Sequence, residues 1–224
     1  AQQDLGLKRL PKLIECFDNS NMQGSFPVAS MSVFKNGKPH KASYRHFNIK
    51  TVEGPDDFAS MEEVIFRRYK RVLEENLEMA DLIVIDGGKG QLNAAYKSLA
   101  GLKLQNRIDI IGIAKRLEEI YKVGDQYPLA IDKTSPTNRL VQHLRNEAHR
   151  FGITHHRNRR LKGGLLSELE QIPGIGAKTI EKTLKHFKSI KKLKSSSFND
   201  IEKVLGTSKA RIIHGHFEQK RPPS

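Results

Sequence analysis

The sequence predicts a mixed α/β domain followed by a small all-α domain. Residues 1–50 hold runs rich in β-branched and aromatic residues between turn clusters, which is typical of strands. Residues 51–151 alternate helical periodicity with continuous apolar runs, and the remainder is helical with short glycine-containing turns. At 224 residues and 37% hydrophobic composition, the chain has enough apolar material for one medium core and one small core.

The first strands are expected to pair as antiparallel neighbours. In chain order they are Leu13 to Phe17, Val28 to Phe34 and Ala42 to Ile49. The Asn36-Gly37 pair between the last two runs favours a tight hairpin, because both residues tolerate the positive φ that such turns require.

Helices and buried strands alternate after that point. Apolar residues recur at helical spacing over residues 58–79, whereas the run Leu82 to Ile85 is continuously apolar and closes at Asp86-Gly87-Gly88, as in a strand buried on both faces. The next predicted elements are a helix from Gln91 to Leu102, a strand from Ile108 to Ala114 and a helix from Asn138 to Phe151. This order gives a mixed sheet with helices on both faces and matches ribonuclease-H-like nucleases. No G-x-G-x-x-G or Walker spacing occurs after a strand, so nucleotide binding is disfavoured.

The formal net charge of +14 and the isoelectric point near 9.9 indicate a polyanionic partner. Residues 158–224 hold 15 Lys and Arg against 6 Asp and Glu, while residues 1–157 hold 24 against 19. This concentration favours nucleic acid over two alternatives, an acidic protein surface and membrane headgroups. The sequence has no run of about 18 apolar residues and no secretory signal. Its single cysteine, Cys16, has no partner for a disulfide, so we expect a cytoplasmic protein.

Residues 152–164 combine glycines, histidines and a basic run, which predicts a flexible boundary between two domains. We therefore expect an α/β domain over residues 1–157 and a helical DNA-binding domain over residues 158–224. Within the second domain, residues 169–190 and 201–214 resemble two diverged copies of one helix-turn-helix unit.

Two carboxylates stand at the ends of predicted buried strands, Asp18 after one and Asp86 after the other. If the strands are neighbours, both side chains emerge at one sheet edge and can share a divalent cation. Hard oxygen ligands suit Mg²⁺ or Mn²⁺, which bind substrate phosphate. Either aspartate alone would be an ordinary turn residue.

Three further residues of this domain are candidates with competing explanations. Asp56 and Asp57 open the long helix, where they either cap its N-terminus or serve a metal or phosphate. His149 lies one helical turn after Arg145, so the imidazole could ligate metal or shuttle a proton while the guanidinium holds phosphate. A histidine on a helix is otherwise more often structural.

The segment Ile172 to Thr179 carries the more specific signal for DNA. Two glycines around one apolar residue allow a tight hairpin whose N–H groups point at a phosphate, at the positive end of the following helix. An ordinary helix-loop-helix connection is the alternative. The expected DNA contacts are Gly174, Ile175, Gly176, Lys178, Thr179 and Lys182 in the first copy, and Gly206 and Lys209 in the second.

Six segments together resemble, in order, the conserved blocks of the C-terminal half of the UvrC family of bacterial excinuclease subunits. They are IECFDNSNMQG, GPDDFASM, DLIVIDGGKGQLNAA, IGIAKRLEEIY, RNEAHRFGITHHR and LEQIPGIGAKT. The resemblance covers nearly the whole chain, from about Lys12 to the last helix.

The resemblance implies a ribonuclease-H-like endonuclease that cuts the damaged strand on the 5′ side of a lesion, followed by tandem helix-hairpin-helix motifs that bind DNA. It places the catalytic aspartates on Asp18 and Asp86 and the catalytic histidine on His149, with Asp57 as a further functional carboxylate. The family usually has Asp where this chain has Asn146, so no role is assigned there.

We expect Asp18 and Asp86 to hold one or two Mg²⁺ or Mn²⁺ ions, with His149 either completing the metal ligands or helping with proton transfer, and with Lys89 and Lys115 offsetting phosphate charge. The implied partners are damaged, bubbled or branched DNA and the excinuclease B subunit. Two rivals remain: a DNA-binding adaptor that has lost nuclease activity, and a ribonuclease H that cuts RNA in a hybrid duplex.

Overall fold

A computed structural model describes residues 1–20, 28–52, 54–114 and 119–219, with residues 20, 155–162 and 219 described by their backbone alone. Its strands form one mixed seven-stranded sheet in the order β3-β2-β1-β5-β6-β7, with β4 also paired to β2. The β1–β5 and β5–β6 pairs are parallel, and the other pairs are antiparallel. The strands are β1 (Leu13–Ser20), β2 (Val28–Lys35), β3 (Lys38–Pro39), β4 (Arg45–Asn48), β5 (Leu82–Asp86), β6 (Asp109–Ala114) and β7 (Glu119–Lys122).

Helices cover both faces of this sheet, which confirms the predicted ribonuclease-H-like α/β class, and an all-α region follows. The helices are α1 (Asp57–Glu74), α2 (Lys89–Gly101), α3 (Pro136–Glu170), α4 (Ala177–Phe187), α5 (Ile190–Ser195), α6 (Phe198–Leu205) and α7 (Thr207–Gln219). A short 3-10 turn, Lys41–Ser43, precedes β4.

Alternation along the central strands divides the apolar residues between two cores. Phe17 of β1 and Ile85 of β5 belong to the core that includes α1 and α2. Cys16 and Val84, one residue earlier on each strand, belong to the core beneath α3. By the same alternation, Asp18 of β1 and Asp86 of β5 lie on the face of the sheet that α3 covers.

The predicted hairpin is present between β2 and β3. Asn36 and Gly37 have φ of 50° and 75°, and the flanking residues Lys35 and Lys38 pair across the turn. Both central residues are left-handed, as a two-residue hairpin turn requires. The partner strand β3 is only two residues long, and the chain reaches β4 through the 3-10 turn, which shortens the predicted third strand.

Two helix ends differ from the sequence prediction. Helix α1 ends at Glu74 because Asn76 adopts a left-handed φ of 49° and Leu77 N–H donates to the Val72 carbonyl, which closes the helix before Met79. The helix predicted to end at Phe151 continues as α3 to Glu170, through residues 152–164 that were predicted to form a flexible boundary between domains. Glycine lowers helix propensity by about 1 kcal/mol per residue but does not by itself end a helix.

The chain divides into two compact units, Ala1–Ile153 and Thr154–Ser224. The second unit has its own apolar core, to which α4, α5, α6 and α7 contribute. Among the described residues, no helix is long and apolar enough to cross a membrane.

Candidate active site and nucleic-acid interface

Asp18 and Asp86 lie side by side at the carboxyl edge of the central parallel strands. They are register partners across the β1–β5 pair, with 1% and 3% of their surfaces exposed. Two carboxylates withdrawn from water in this way repel each other and favour a cation between them. The predicted pairing of these aspartates at one sheet edge is therefore present.

His149 reaches the same edge from α3. Its Nδ1 lies 3.2 Å from Asp18 Oδ2, while 57% of its side chain is exposed. Each of Asp18, Asp86 and His149 offers one ligand atom, and these atoms all lie within 4.8 Å of one another. We call this group the Asp–Asp–His triplet.

The electrostatic character of the triplet is visible at the neighbouring Cys16. Burial is the main cause that raises the pKa of its thiol well above the ordinary value, and the negative charges of Asp86 and Asp18 raise it further, whereas Arg145 lowers it. The thiol therefore stays neutral, and the carboxylates of Asp86 and Asp18 are close enough to act on it.

The two acidic residues before α1 have different positions. Asp56 is the N-cap, and its Oδ1 accepts the N–H groups of Phe58 and Ala59 at 2.9 Å, so the capping explanation holds for this residue. Asp57 lies on the other side of the sheet edge, where its carboxylate is 3.5 Å from Gln91 Nε2. Within the described part of the chain, Asp57 is not a member of the triplet.

Two serines of β2 fasten α3 above the triplet. Ser30 lies opposite Asp18 in the β1–β2 register, and its hydroxyl donates to the Ala148 carbonyl at 3.1 Å. Ser32 Oγ lies 3.4 Å from the Leu144 carbonyl. Sequence reasoning missed these contacts, although polar residues at alternate positions of a buried strand were a signal for them.

A second group ties α3 to the start of β4. Glu147 accepts two bonds from Arg150 at 2.7 Å and one from the Tyr44 hydroxyl at 3.1 Å. The Arg150 hydrogen bond is the main cause that lowers the pKa of Glu147, and partial burial opposes it. These contacts hold the helical turn on which His149 lies.

Behind β1, the buried Glu15 accepts hydrogen bonds from the Arg68 guanidinium and, at 3.0 Å, from the Tyr69 hydroxyl. Burial dominates the raised pKa of Tyr69 and is followed by the charge of Glu15. This pair of contacts fastens α1 to β1, the strand that carries Asp18. The sequence offered one hint, a Glu inside an otherwise apolar strand.

The predicted phosphate contacts of the first unit have partners within the protein. Lys89 begins α2, three residues after Asp86, and its ammonium bonds the Gln126 carbonyl and lies 4.5 Å from the centre of the Tyr121 ring. Arg145 is partly buried, and one of its nitrogens lies 3.5 Å from Asn146 Oδ1. Lys115 lies outside the described residues.

The first glycine hairpin connects α3 to α4. Gly174 has φ of 82°, which favours glycine, and Gly176 is the N-cap of α4 with no side-chain cap. Ile175 between them is 9% exposed and packs in the helical core, as expected for a residue that anchors the hairpin. Thr179, Lys178 and Lys182 are in the first two turns of α4, where both lysines are exposed.

The second connection is tighter. Gly206 alone separates α6 from α7, with φ of 81°. Lys209, predicted to bind DNA, donates from its ammonium to the Gly174 carbonyl at 2.8 Å, so it links the second connection to the first hairpin.

The fold and the triplet together define a nuclease domain of ribonuclease-H-like class, in which buried carboxylates at the end of parallel strands face a helix. The family model described as the UvrC RNAse H endonuclease domain matches residues 2–153. The chain therefore belongs to the UvrC family, as its motifs suggested.

Relatives in this family match almost the full chain. The UvrABC system protein C of Flavobacterium johnsoniae is 58% identical over 212 residues, which are 95% of this chain and 36% of that protein. The same protein of Flavobacterium psychrophilum is 59% identical over 218 residues, 97% of this chain and 36% of that protein. The chain thus spans about 36% of the length of these relatives.

Among solved structures, endonuclease V of Ciona intestinalis in complex with inosine-containing DNA aligns with a TM-score of 0.35 and 21% identity, over 49% of this chain and 48% of that one. The family assignment rests on the sequence match.

Proposed function

We propose that this chain is a divalent-metal-dependent DNA endonuclease that makes the 5′ incision beside a lesion in nucleotide excision repair. The observation that carries the proposal is the convergence of Asp18, Asp86 and His149 within 4.8 Å at one sheet edge. Membership of the UvrC endonuclease family supports the same activity and its place in DNA repair.

The donor set fits a hard divalent cation. Two carboxylates, both almost fully buried, supply oxygen ligands, and the imidazole supplies a nitrogen that Mn²⁺ also accepts. Bound there, Mg²⁺ or Mn²⁺ would stabilise charge on the scissile phosphate and lower the pKa of an attacking water.

The chain's own residues would orient the attacking water and accept its proton. His149 Nδ1 lies 3.2 Å from Asp18 Oδ2, and in the tautomer whose Nδ1–H donates to this carboxylate, Nε2 is the ring atom that can accept a proton. We propose that His149 either completes the ligand set of the metal or takes up the proton of the attacking water. Asp57 is proposed as a further functional carboxylate. The Mn²⁺ affinity of His149→Ala separates the two roles, because only a ligand's loss weakens metal binding.

DNA would be gripped mainly by the helical DNA-binding domain that we propose over residues 158–224. We propose that the N–H groups beside Gly174, Ile175 and Gly176 hold a backbone phosphate, with Lys178, Thr179 and Lys182 on the adjoining turns. Gly206 and Lys209 would support a second contact, and Lys89, Lys115 and Arg145 would offset phosphate charge near the incision site. The excinuclease B subunit is the proposed protein partner, and the bacterial cytoplasm the proposed location.

The proposal is tested by incision of a labelled duplex that contains a bubble, with Mg²⁺ or Mn²⁺, beside Asp86→Ala and a chelated control. Metal-dependent nicking that the variant loses, while it still binds DNA, is the expected result. Retained cutting by Asp86→Ala would contradict the site assignment. If the folded, DNA-binding chain fails to cut even with the B subunit present, the non-catalytic adaptor is the better description. A preference for an RNA–DNA hybrid would favour a ribonuclease H.

A further inference from the structure

Phe58 is an exposed aromatic residue beside the proposed incision site. It is the second residue of α1, immediately after Asp57, and 57% of its surface is exposed. The backbone carbonyl of Asp57 accepts a 2.9 Å hydrogen bond from the Asn19 side chain, and Asn19 directly follows Asp18. The start of α1 is therefore fastened to the same sheet edge that carries the Asp–Asp–His triplet.

One side of the Phe58 ring lies against Gly90 in the first turn of α2. A Cβ atom built on Gly90 would lie 2.5 Å from Cε1 and 2.7 Å from Cζ of the ring, closer than real contacts allow. The absence of a side chain at position 90 is thus what lets the ring rest on the helix backbone. The ring contacts the helix backbone on this side, while more than half of the residue's surface remains open to solvent.

The distance to the chemistry is short. Gly90 is four residues after Asp86, and four residues span at most about 14 Å. Stacked nucleotides rise about 3.4 Å each along one strand. An aromatic ring at this position is therefore within about four nucleotides of a phosphate bound at the triplet. The first turn of α2 also offers backbone N–H groups without a side-chain cap, since its N-cap is Gly88, and these suit the phosphate of a neighbouring nucleotide.

We propose that Phe58, supported by Gly90, is a stacking platform for an unpaired nucleobase of the strand to be cut. The inference rests on the proposed function for its substrate, DNA, and adds what the site recognises near the cut: a base that has left its duplex partner. Every base has a π face, so stacking of this kind is tolerant of sequence and is worth about 1–3 kcal/mol per base.

The experiment measures binding without incision. Duplexes that are identical except for a bubble of unpaired bases are titrated in chelating buffer, with 2-aminopurine in the bubble as a fluorescent stacking probe. Phe58→Ala is expected to weaken binding of the bubbled duplex by about 5- to 150-fold and to leave the fully paired duplex unaffected. Phe58→Trp keeps an aromatic face and should retain the preference for the bubble.

Two further variants make the test specific. Gly90→Ala leaves Phe58 in the chain but forces the ring off the helix backbone, so it should also weaken bubble binding. Phe66→Ala is the matched control, because Phe66 is a phenylalanine of the same helix, 42% exposed, that lines a different groove with Val52 and Ala59. It should change neither affinity.

Equal binding of the two duplexes by the unmodified chain, or equal effects of Phe58→Ala and Phe66→Ala, would overturn the inference. Its failure is distinguishable from failure of the proposed function. If the chain cuts with metal but its binding of bubbled DNA does not depend on Phe58, only the stacking proposal is wrong. A chain that never cuts but shows the Phe58-dependent preference loses only the nuclease assignment.

Discussion

At the residue scale, Asp18 and Asp86 place two like charges on adjacent strands with almost no access to water. Such an arrangement costs stability unless a cation offsets it, which is a common way in which active sites trade stability for function. Burial is the main cause of the raised pKa of Cys16, and the charges of the same two aspartates raise it further. The site should therefore be the part of the domain whose stability responds most to metal.

Asp86→Asn removes one of the two buried charges without changing the side-chain shape. We expect its melting temperature in chelating buffer to equal or exceed that of the unmodified chain. Saturating Mn²⁺ at about 100 times its Kd should stabilise the unmodified chain by about 2.7 kcal/mol and raise its Tm by roughly 5–10 °C. The variant should show no such shift. Asp125→Asn, an exposed acidic residue, is the control. A full Mn²⁺ shift in Asp86→Asn would exclude this residue as a ligand.

Glu147 provides a pH-dependent contribution. Its pKa is lowered below the ordinary value of 4.5, mainly by the Arg150 hydrogen bond. A lowered folded pKa means that the contribution is fully present above about pH 4.5 and is lost as the pH falls through the folded value. Glu147→Gln should therefore cost about 1 kcal/mol of unfolding free energy at pH 7, since Arg150 is half exposed, and progressively less at pH 3 to 4.

Urea unfolding at pH 7 and at pH 3 measures how much unfolding free energy Glu147→Gln loses at each pH. Glu74→Gln, on the exposed surface of α1, should cost little at either pH. A cost for Glu147→Gln that stays constant from pH 7 to pH 3 would show that packing, and not charge, is lost.

The residues of the site differ in how visible they were in the sequence. Asp18 and Asp86 could be predicted because each directly follows a run that reads as a buried strand, and side chains at the carboxyl ends of parallel neighbours lie close together, although β1 itself extends past Asp18 to Ser20. His149 was a candidate from its place one helical turn after Arg145, but only the family resemblance favoured a functional role over a structural one. Ser30 and Glu147 act through a distant carbonyl and a distant hydroxyl, and such long-range pairs become visible only when the fold is known.

At the element scale, α3 carries His149 and is fastened to β2 by the Ser30 hydroxyl, which donates to the carbonyl immediately before the histidine. This bond fixes the distance between α3 and the sheet. A displacement of about 1 Å at a reacting group can cost about 100-fold in rate. The bond should matter more for incision than for stability.

Ser30→Ala is therefore expected to lower the unfolding free energy by about 1 kcal/mol and kcat by about ten-fold or more, with KM unchanged. Ser98→Ala is the matched control, because Ser98 is also buried and its hydroxyl donates to the Glu62 carbonyl at 2.7 Å, between α2 and α1. It should lose similar stability and keep its kcat. Equal loss of kcat in both variants would show that general destabilisation, and not the position of α3, limits incision.

The predicted elements that matched the structure are those with a strong period or a fully apolar run, such as β5 and α2. The ones that were missed have neither. The strand β3 has two exposed residues, and β7 is four residues long with no clear alternation. The continuous α3 was missed because local glycines and basic residues outweighed the helical periodicity on either side of them.

At the scale of the whole molecule, the excess of positive charge is greatest after residue 157, where the family's endonuclease model no longer matches. This distribution supports our proposal that incision and most of the DNA binding are carried by different parts of the chain. Phosphate contacts release counterions, so each one adds about 0.9 to the slope of log affinity against log salt for duplex DNA. The slope reports the phosphate contacts of the whole chain, so the change in slope on replacing residues of the second unit reports the contacts that those residues make.

Lys178 and Lys182 lie on the exposed first turns of α4, next to the uncapped N-terminus at Gly176. If both contact phosphates, replacing the pair with Gln should reduce the salt slope by about 1.8 and weaken binding of paired and bubbled DNA equally. Replacing Lys38 and Lys103, two exposed lysines of the first unit, removes the same charge and should leave the slope unchanged. Titrations over a salt series separate the two outcomes. Equal slope changes in both double variants would mean that net charge, and not the glycine hairpin, holds the DNA. A loss confined to bubbled DNA would instead make α4 a reader of unpaired strands, a role we assign to Phe58.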